Sequence, residues 1–254
     1  MTEIPDRPAV ALASPEAAPA LYEADDVRTL FDRMATSYDR MNIALSLGFA
    51  RLWRRQLLGL VGATGSRRRV LDLMSGRGET WSEIERRLPQ AEITAVDFSA
   101  QMMAHAETRS RARFGGRVRL HQEDALNGTA ERASFDVVVS AYGLKTFDTP
   151  QLERLAAEVA RVLRPGGSFA FIDVTEPTSR ALRVAYLSYL RWMVPLAATL
   201  LHSDPTEYRM LHRYLAGFGD GARAVEAFQS QPGLHVEVRR HFFGCATSIS
   251  GRRS

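Results

Sequence analysis

A chain of 254 residues, 45% hydrophobic and 24% charged, has room for one large α/β domain or one domain with a small lid, in the composition of an ordinary globular protein. The single cysteine, Cys245, excludes a disulfide framework and suits a reducing cytoplasm; no uncharged apolar run of about 18 residues is present, which excludes a membrane-spanning helix. The net charge of +4 comes with 33 basic residues, all arginine except Lys145 and scattered apart from Arg67-Arg68-Arg69 and the Arg109 to Arg119 set, so solvated loop charge is expected and nucleic acid is not, with a basic face for anionic lipid or a phosphorylated substrate as the minor alternative.

Residues 1–20, rich in Pro and Ala without periodicity, read as a disordered or loosely tethered leader that lacks the features of a secretory signal. From Asp25 onward Val27, Leu30, Phe31 and Met34 recur at helical spacing, and Tyr38, Met41, Leu45 and Leu47 carry an apolar face to Trp53 and Leu57. Two or three helices, a cap over residues 21–65, are predicted. The stretch Arg69-Val70-Leu71-Asp72-Leu73-Met74-Ser75-Gly76-Arg77-Gly78-Glu79 then reads as a buried strand, a Gly-rich turn and the start of a helix over residues 80–88. Its glycines are expected to let the backbone pass close to a ligand. The third glycine of a dinucleotide fingerprint would fall on Trp81, and no phosphate-cradling G-x-x-x-x-G-K-[ST] occurs. A ligand with a ribose and no phosphates remains, and S-adenosylmethionine fits.

Further strands are predicted over residues 93–97, 118–121, 135–140 and 168–174, with helices over 101–111 and 150–163 between them. Arg164-Pro165-Gly166-Gly167 is expected to be the turn into the fifth strand. Alternating strands and helices predict a right-handed, doubly wound, mostly parallel sheet. Residues 179–201 carry Tyr186, Tyr189, Trp192 and Met193, but Arg183, Arg191 and Pro195 argue against a membrane span. They read as helices lining a substrate cavity, or as an amphipathic lid touching a membrane surface. Further helix follows within 211–228, completing a lid over 178–230, and two extended runs, 234–240 and 244–249, suit an antiparallel hairpin at the sheet edge.

Ligands of open α/β sheets bind where strands end at the carboxyl side. Asp72, Asp97, Asp124 and Ser140 to Tyr142 sit at such ends. Asp97 is expected to accept the ribose hydroxyls, Phe98 to pack on adenine, Asp124 to accept from the adenine amino group and Ala125 to donate its N–H. The plainer reading of each aspartate is a cap on the following helix.

Here the chain resembles a family. Val27-Arg28-Thr29-Leu30-Phe31-Asp32, Tyr38-Asp39-Arg40-Met41-Asn42, Ser46-Leu47-Gly48 and Leu52-Trp53-Arg54-Arg55 are similar to the N-terminal signature of the ubiquinone/menaquinone biosynthesis C-methyltransferases (UbiE/MenG-like). The similarity continues through residues 70–79, Tyr142-Gly143-Leu144, the Val162 to Gly167 turn, Glu207-Tyr208-Arg209 and the final hairpin. It implies a Rossmann-like class I methyltransferase, residues 21–254 in one domain, that moves the methyl of S-adenosylmethionine to an electron-rich ring carbon of a phenol- or quinol-like molecule, leaving S-adenosylhomocysteine. O- or N-methylation on the same scaffold, or a cofactor-binding protein that no longer transfers methyl, stay open. So do a homodimer and peripheral contact with a membrane. No metal is needed, and no His/Cys/Asp cluster with ligand spacing occurs.

Three departures from the family pattern stand out. Met74 occupies a position the family keeps small, and Arg77 stands between two turn glycines where the family has Thr. Lys145-Thr146 replaces Arg-Asn after Tyr142-Gly143-Leu144, at an arginine that the family implicates in proton transfer. An ammonium is a mobile point charge where guanidinium is a fixed fork, so Lys145 is read as general base, phenolate stabiliser or substrate anchor. In the lid, His202, Asp204, Tyr208 and His212 are the polar candidates, with His202 as a proton acceptor. Tyr142 joins the catalytic group, and it and Tyr38 are expected to wall the pocket.

Overall fold

Short runs of β-branched and aromatic residues, buried on both faces, form the strands of a covered parallel sheet. The computed structural model describes residues 19–62, 68–200 and 205–254; most of the expected leader, Arg67, His202 and Asp204 lie outside the described residues. The strands are β1 (Arg69–Leu73), β2 (Glu92–Asp97), β3 (Arg119–Gln122), β4 (Phe135–Ala141), β5 (Leu163–Val174), β6 (Leu234–His241) and β7 (Ala246–Arg253). They form one sheet in the order β3-β2-β1-β4-β5-β7-β6. The first five are parallel; β7 runs antiparallel to both β5 and β6. The expected hairpin is therefore present, with β6 at the edge.

Alternate residues of each strand serve opposite layers. Val137, Val139, Ala170 and Ile172 pack with α3 (Phe49–Leu60), α4 (Trp81–Arg87) and α5 (Ala100–Phe114). Val138, Phe169 and Phe171 pack with α6 (Thr149–Val162) and α9 (Ala222–Ser230). Burying one such side chain stabilises the fold by about 1.5–3 kcal/mol. A third apolar cluster joins α1 (Ala24–Met34) and α2 (Tyr38–Leu45) to Met102 of α5 and Tyr214 of α8 (Pro205–Phe218). That cluster seats the N-terminal cap on the sheet's carboxyl edge. The remaining helix, α7 (Arg180–Leu200), joins β5 to α8; no helix among the described residues is long and apolar enough to cross a membrane.

Helix starts carry the expected chemistry. Asp148 and Gln151 form a reciprocal capping box before α6, and the Ser99 hydroxyl accepts from Met102 N at 3.1 Å to cap α5. One boundary differs from the sequence reading. β5 begins at Leu163, which pairs with Phe135, and the register jumps to Val137 opposite Ser168. The Pro-Gly-Gly segment is thus a bulge inside a strand rather than a turn before one. Gly166 takes φ +76, and a Cβ on Gly167 would lie 2.8 Å from the Arg164 carbonyl.

Candidate active site

β1 and β4 are neighbours in the sheet, yet β1 leads to α4 on one face and β4 leads to α6 on the other. The crevice that opens at their carboxyl ends is the switch point of the fold. It holds a cavity of about 210 Å³ walled by the turn after β1 (Met74, Gly76), by Asp97 and Phe98, and by Asp124 and Ala125, with Tyr38 from the cap. Seven of the cofactor residues expected from sequence are brought together there.

Asp97 is the centre of this group. Its Oδ2 accepts from Gly76 N at 2.8 Å and its Oδ1 from Ser99 N at 2.9 Å. Those bonds fix the carboxylate while each oxygen keeps acceptor capacity. Burial pushes its pKa up to about 6 against the pull of the two backbone donors, with Glu79 and Asp32 pushing further. Asp124 is held as an Asx turn, accepting from Leu126 N at 2.9 Å and from the Asn127 amide at 3.0 Å. No helix follows it directly, so the capping alternative does not apply there.

Four other expected contacts lie elsewhere. Asp72 is 1% exposed beneath the cavity, its Oδ2 accepting from the Trp81 indole N–H at 3.0 Å. The indole that spoils a pyrophosphate loop is what positions this carboxylate. A Cβ on Gly78 would meet Trp81 ring atoms at 2.5 Å, so this glycine makes room for an indole, not for a ligand. Arg77 points to the cap, where its guanidinium reaches the Thr36 carbonyl at 3.4 Å. Ser140 is buried within β4 and does not reach the cavity.

Tyr38 and Tyr142 form a wall shared with a second cavity of about 300 Å³, lined mainly by apolar groups of α2, α3, α7 and α8. Tyr142 sits at φ +71, which turns its ring between the cavities, and its hydroxyl donates to the Ala50 carbonyl at 2.8 Å. The Arg54 guanidinium lies 5.3 Å from the ring centroid. Burial drives the Tyr142, Tyr38 and Tyr186 phenols upward. With its hydroxyl engaged by the Ala50 carbonyl, Tyr142 stands as part of the wall.

Lys145 lines the second cavity at 6% exposure. Its Nζ donates to the Tyr142 carbonyl and, at 3.1 Å, to Asp173 Oδ1. Asp173 is fully buried and also accepts from the backbone N–H of Lys145 at 3.0 Å and of Val174 at 2.7 Å. Held by a carboxylate and a carbonyl, Nζ stands as a hydrogen-bond donor anchored at the cavity wall. Of the lid candidates, His212 lines this cavity; the Tyr208 side chain, like His202 and Asp204, lies outside the described residues.

Sequence reasoning missed several participants. Asp173 is the penultimate residue of β5, where Asp97 is the last of β2, and the same strand-end signal identifies it. Glu79 and Arg54 both reach the first cavity, but Glu79 reads as a helix-start acid and Arg54 as one arginine among many. Asp32 of α1 accepts from the Ser99 hydroxyl at 2.6 Å and from Gln101 N at 3.1 Å, tying the cap to the turn that carries Asp97.

The sequence profile of the ubiE/COQ5 methyltransferase family matches residues 20–252. The chain belongs to that family. It is 30% identical to the demethylmenaquinone methyltransferase of Thermus thermophilus over 88% of its own length and 100% of the relative. It is 31% identical to the ubiquinone/menaquinone biosynthesis C-methyltransferase UbiE of Syntrophotalea carbinolica over 90% and 94%. Among solved structures, a Methanococcus maripaludis protein assigned to the S-adenosyl-L-methionine-dependent methyltransferases aligns with TM-score 0.62 at 16% identity, covering 88% of this chain and 93% of that one. The [4+2]-cyclase SpnF aligns with TM-score 0.56 at 16% identity, covering 89% and 95%. The fold alone therefore spans more than one reaction. Family membership decides it: this ubiE/COQ5-family chain is a S-adenosylmethionine-dependent methyltransferase with a Rossmann-like sheet.

The residues present fit that cofactor. Burial, then the neighbouring Glu79 carboxylate, holds Asp72 well above the usual range, and its Oδ1 has no hydrogen-bond partner in the protein. Three mutually repelling carboxylates suit a ligand that brings an ammonium and a sulfonium, and Asp97 can accept from a ribose diol.

Proposed function

We propose that this ubiE/COQ5-family enzyme methylates a ring carbon of a quinol-type acceptor seated in the second cavity. The observation that carries the reading is the Tyr38–Tyr142 wall, with a polar, acidic crevice on one side and an apolar cavity on the other. The names of the relatives, demethylmenaquinone and ubiquinone/menaquinone methyltransferases, support the same acceptor class.

Gly76, Asp97, Phe98, Asp124 and Ala125 would hold the cofactor, with Asp97 on the ribose and Phe98 against the adenine. When bound, S-adenosylmethionine supplies a methyl group made electrophilic by its sulfonium. The protein's own work is to align the ring and manage its charge. Lys145 stands as a fixed cation that stabilises a phenolate, and the phenolate oxygen directs electron density to the ring carbon. Asp173 and the Tyr142 carbonyl keep that cation in place. The ring carbon must then lose its proton. His212 lines the cavity and carries an imidazole, the side-chain type whose ordinary titration range spans neutrality, so it is the described residue suited to accept that proton.

The test is product analysis. Purified protein with S-adenosylmethionine and a demethylated quinol should give S-adenosylhomocysteine and a product whose new methyl is bonded to carbon. A methyl on oxygen would overturn the acceptor chemistry. Cofactor consumption without methylated product would overturn the reading of the cavity.

A further inference from the structure

Eight large hydrophobic side chains are exposed among the described residues: Leu47, Leu52, Val184, Trp192, Met193, Val238, Phe242 and Phe243. All fall in three segments, 40–71, 177–203 and 238–254, and none of the three contains an aspartate or glutamate. Apolar exposure and cationic character therefore coincide in this chain. A solvated surface usually mixes both signs of charge and disperses its apolar groups.

Part of this surface surrounds one opening. Leu47 and Phe242 line the acceptor cavity and are 76% and 51% exposed, so they stand at its mouth. Phe242 stacks on Phe49 with ring centroids 4.5 Å apart and on Phe243 at 5.5 Å. Leu52, Arg239 and Arg240 line an adjoining open groove with Phe242. Arg51 and Arg55 are exposed one turn along α3, and Arg183 is exposed on the helix that walls the cavity. The facing carboxylates are few: Asp220 lies 3.8 Å from Arg240, Glu176 lies 3.8 Å from Arg183, and Glu237 is exposed on β6.

Backbone conformation adds an independent observation. Leu47, Phe242 and Phe243 take φ of +49, +42 and +56. Bulky residues are rare in this region and cost of order 1–3 kcal/mol each. Here the strain turns apolar side chains outward beside a cavity mouth, where burial within the protein does not compensate it. A low-dielectric phase outside the protein would.

We propose that the Leu47–Phe242–Phe243 rim is a membrane-docking surface for an anionic lipid leaflet. The aromatic tip enters the headgroup region, and Arg51, Arg55, Arg239 and Arg240 meet lipid phosphates, so the acceptor cavity opens toward the bilayer. The proposal rests on the second cavity being the acceptor site, but it is tested without any acceptor, so the two can fail separately.

The probe is sedimentation with phosphatidylcholine vesicles with and without phosphatidylglycerol. Wild-type protein should bind the anionic vesicles, and binding should weaken as salt rises. Phe243→Ser should lower the partition coefficient about tenfold or more. Arg239→Gln and Arg240→Gln should each lower it about fivefold on anionic vesicles. None of these residues lines either cavity, so S-adenosylmethionine affinity by calorimetry should be unchanged, which also shows that the variants fold. No binding to anionic vesicles, or equal binding by wild type and all variants, overturns the proposal. Concentration-dependent self-association abolished by Phe243→Ser, with no vesicle binding, overturns it in favour of a second copy of the chain.

Discussion

Replacing Lys145 with methionine tests the ion pair on which the site's charge depends. The substitution keeps the length and apolar stem of the side chain but removes the ammonium, leaving the fully buried Asp173 without its counter-charge. Removing one member of a buried pair typically costs about 3–5 kcal/mol. Asp173 still accepts two backbone N–H bonds, so the lower end, about 3 kcal/mol, is expected. For a chain of this size that corresponds to a fall in Tm of about 6–12 °C. Asp173→Asn alone leaves a buried ammonium with neutral acceptors and no counter-charge, and should cost a similar amount. The double variant removes both charges and should come back to within about 1 kcal/mol of wild type, a coupling of about 5 kcal/mol against the sum of the single costs. Chemical unfolding followed by circular dichroism gives the stabilities, and methyl transfer is measured in parallel. In both Lys145 variants kcat should fall by about 10²–10³, because the double variant restores stability without restoring the cation. Additive single costs would refute the buried pair, and a double variant with full activity would refute the phenolate role.

Cofactor affinity should depend on pH through Asp97. The folded carboxyl holds its proton up to about 6 against an ordinary value of 3.8, so the ligand-free fold binds more protons between these values and gains stability as pH falls through them. A ribose diol needs the carboxylate, so affinity should move the opposite way, losing about tenfold per pH unit below 6. Calorimetry on wild type and Asp97→Asn checks this, and the variant should bind weakly with that dependence lost. A Cβ on Gly143 would lie 2.5 Å from the Met74 sulfur, so Gly143→Ala should cost about 1–3 kcal/mol. Adding Met74→Ala should recover most of that loss, and a merely additive result in unfolding titrations would disprove the contact. Trp81→Phe should cost about 1–3 kcal/mol by stripping Asp72 of its hydrogen-bond donor. Because burial already raises the Asp72 pKa, the deficit should shrink from alkaline to mildly acidic pH, as unfolding at both will show.

Local signals carried much of the site. Asp97, Phe98, Asp124 and Ala125 were legible because a parallel sheet places every strand's carboxyl end on one edge, and the strand ends can be read from apolar runs. The same rule placed Asp72 and Ser140 on that edge without showing that both are buried there. Strand-end position says which edge a residue occupies, but not whether a neighbour's side chain covers it, and Trp81 covers Asp72 from nine positions further along the chain. Gly78 was read as ligand clearance for the same reason: the group that needs the space is an indole that folds back onto the turn.

By itself the sequence determined the doubly wound sheet, the strand-end position of Asp97 and the family, because periodicity, turn glycines and motif spacing are properties of neighbouring residues. Only the tertiary structure decided what the polar groups do once buried. Lys145 read equally as general base, phenolate stabiliser or substrate anchor, and its partner Asp173 lies 28 residues away in the chain. The Tyr142 hydroxyl looked available until the Ala50 carbonyl, 92 residues away, was seen to accept from it. Whether a titratable group is free or engaged depends on partners that the fold brings from distant parts of the chain, which no local pattern records.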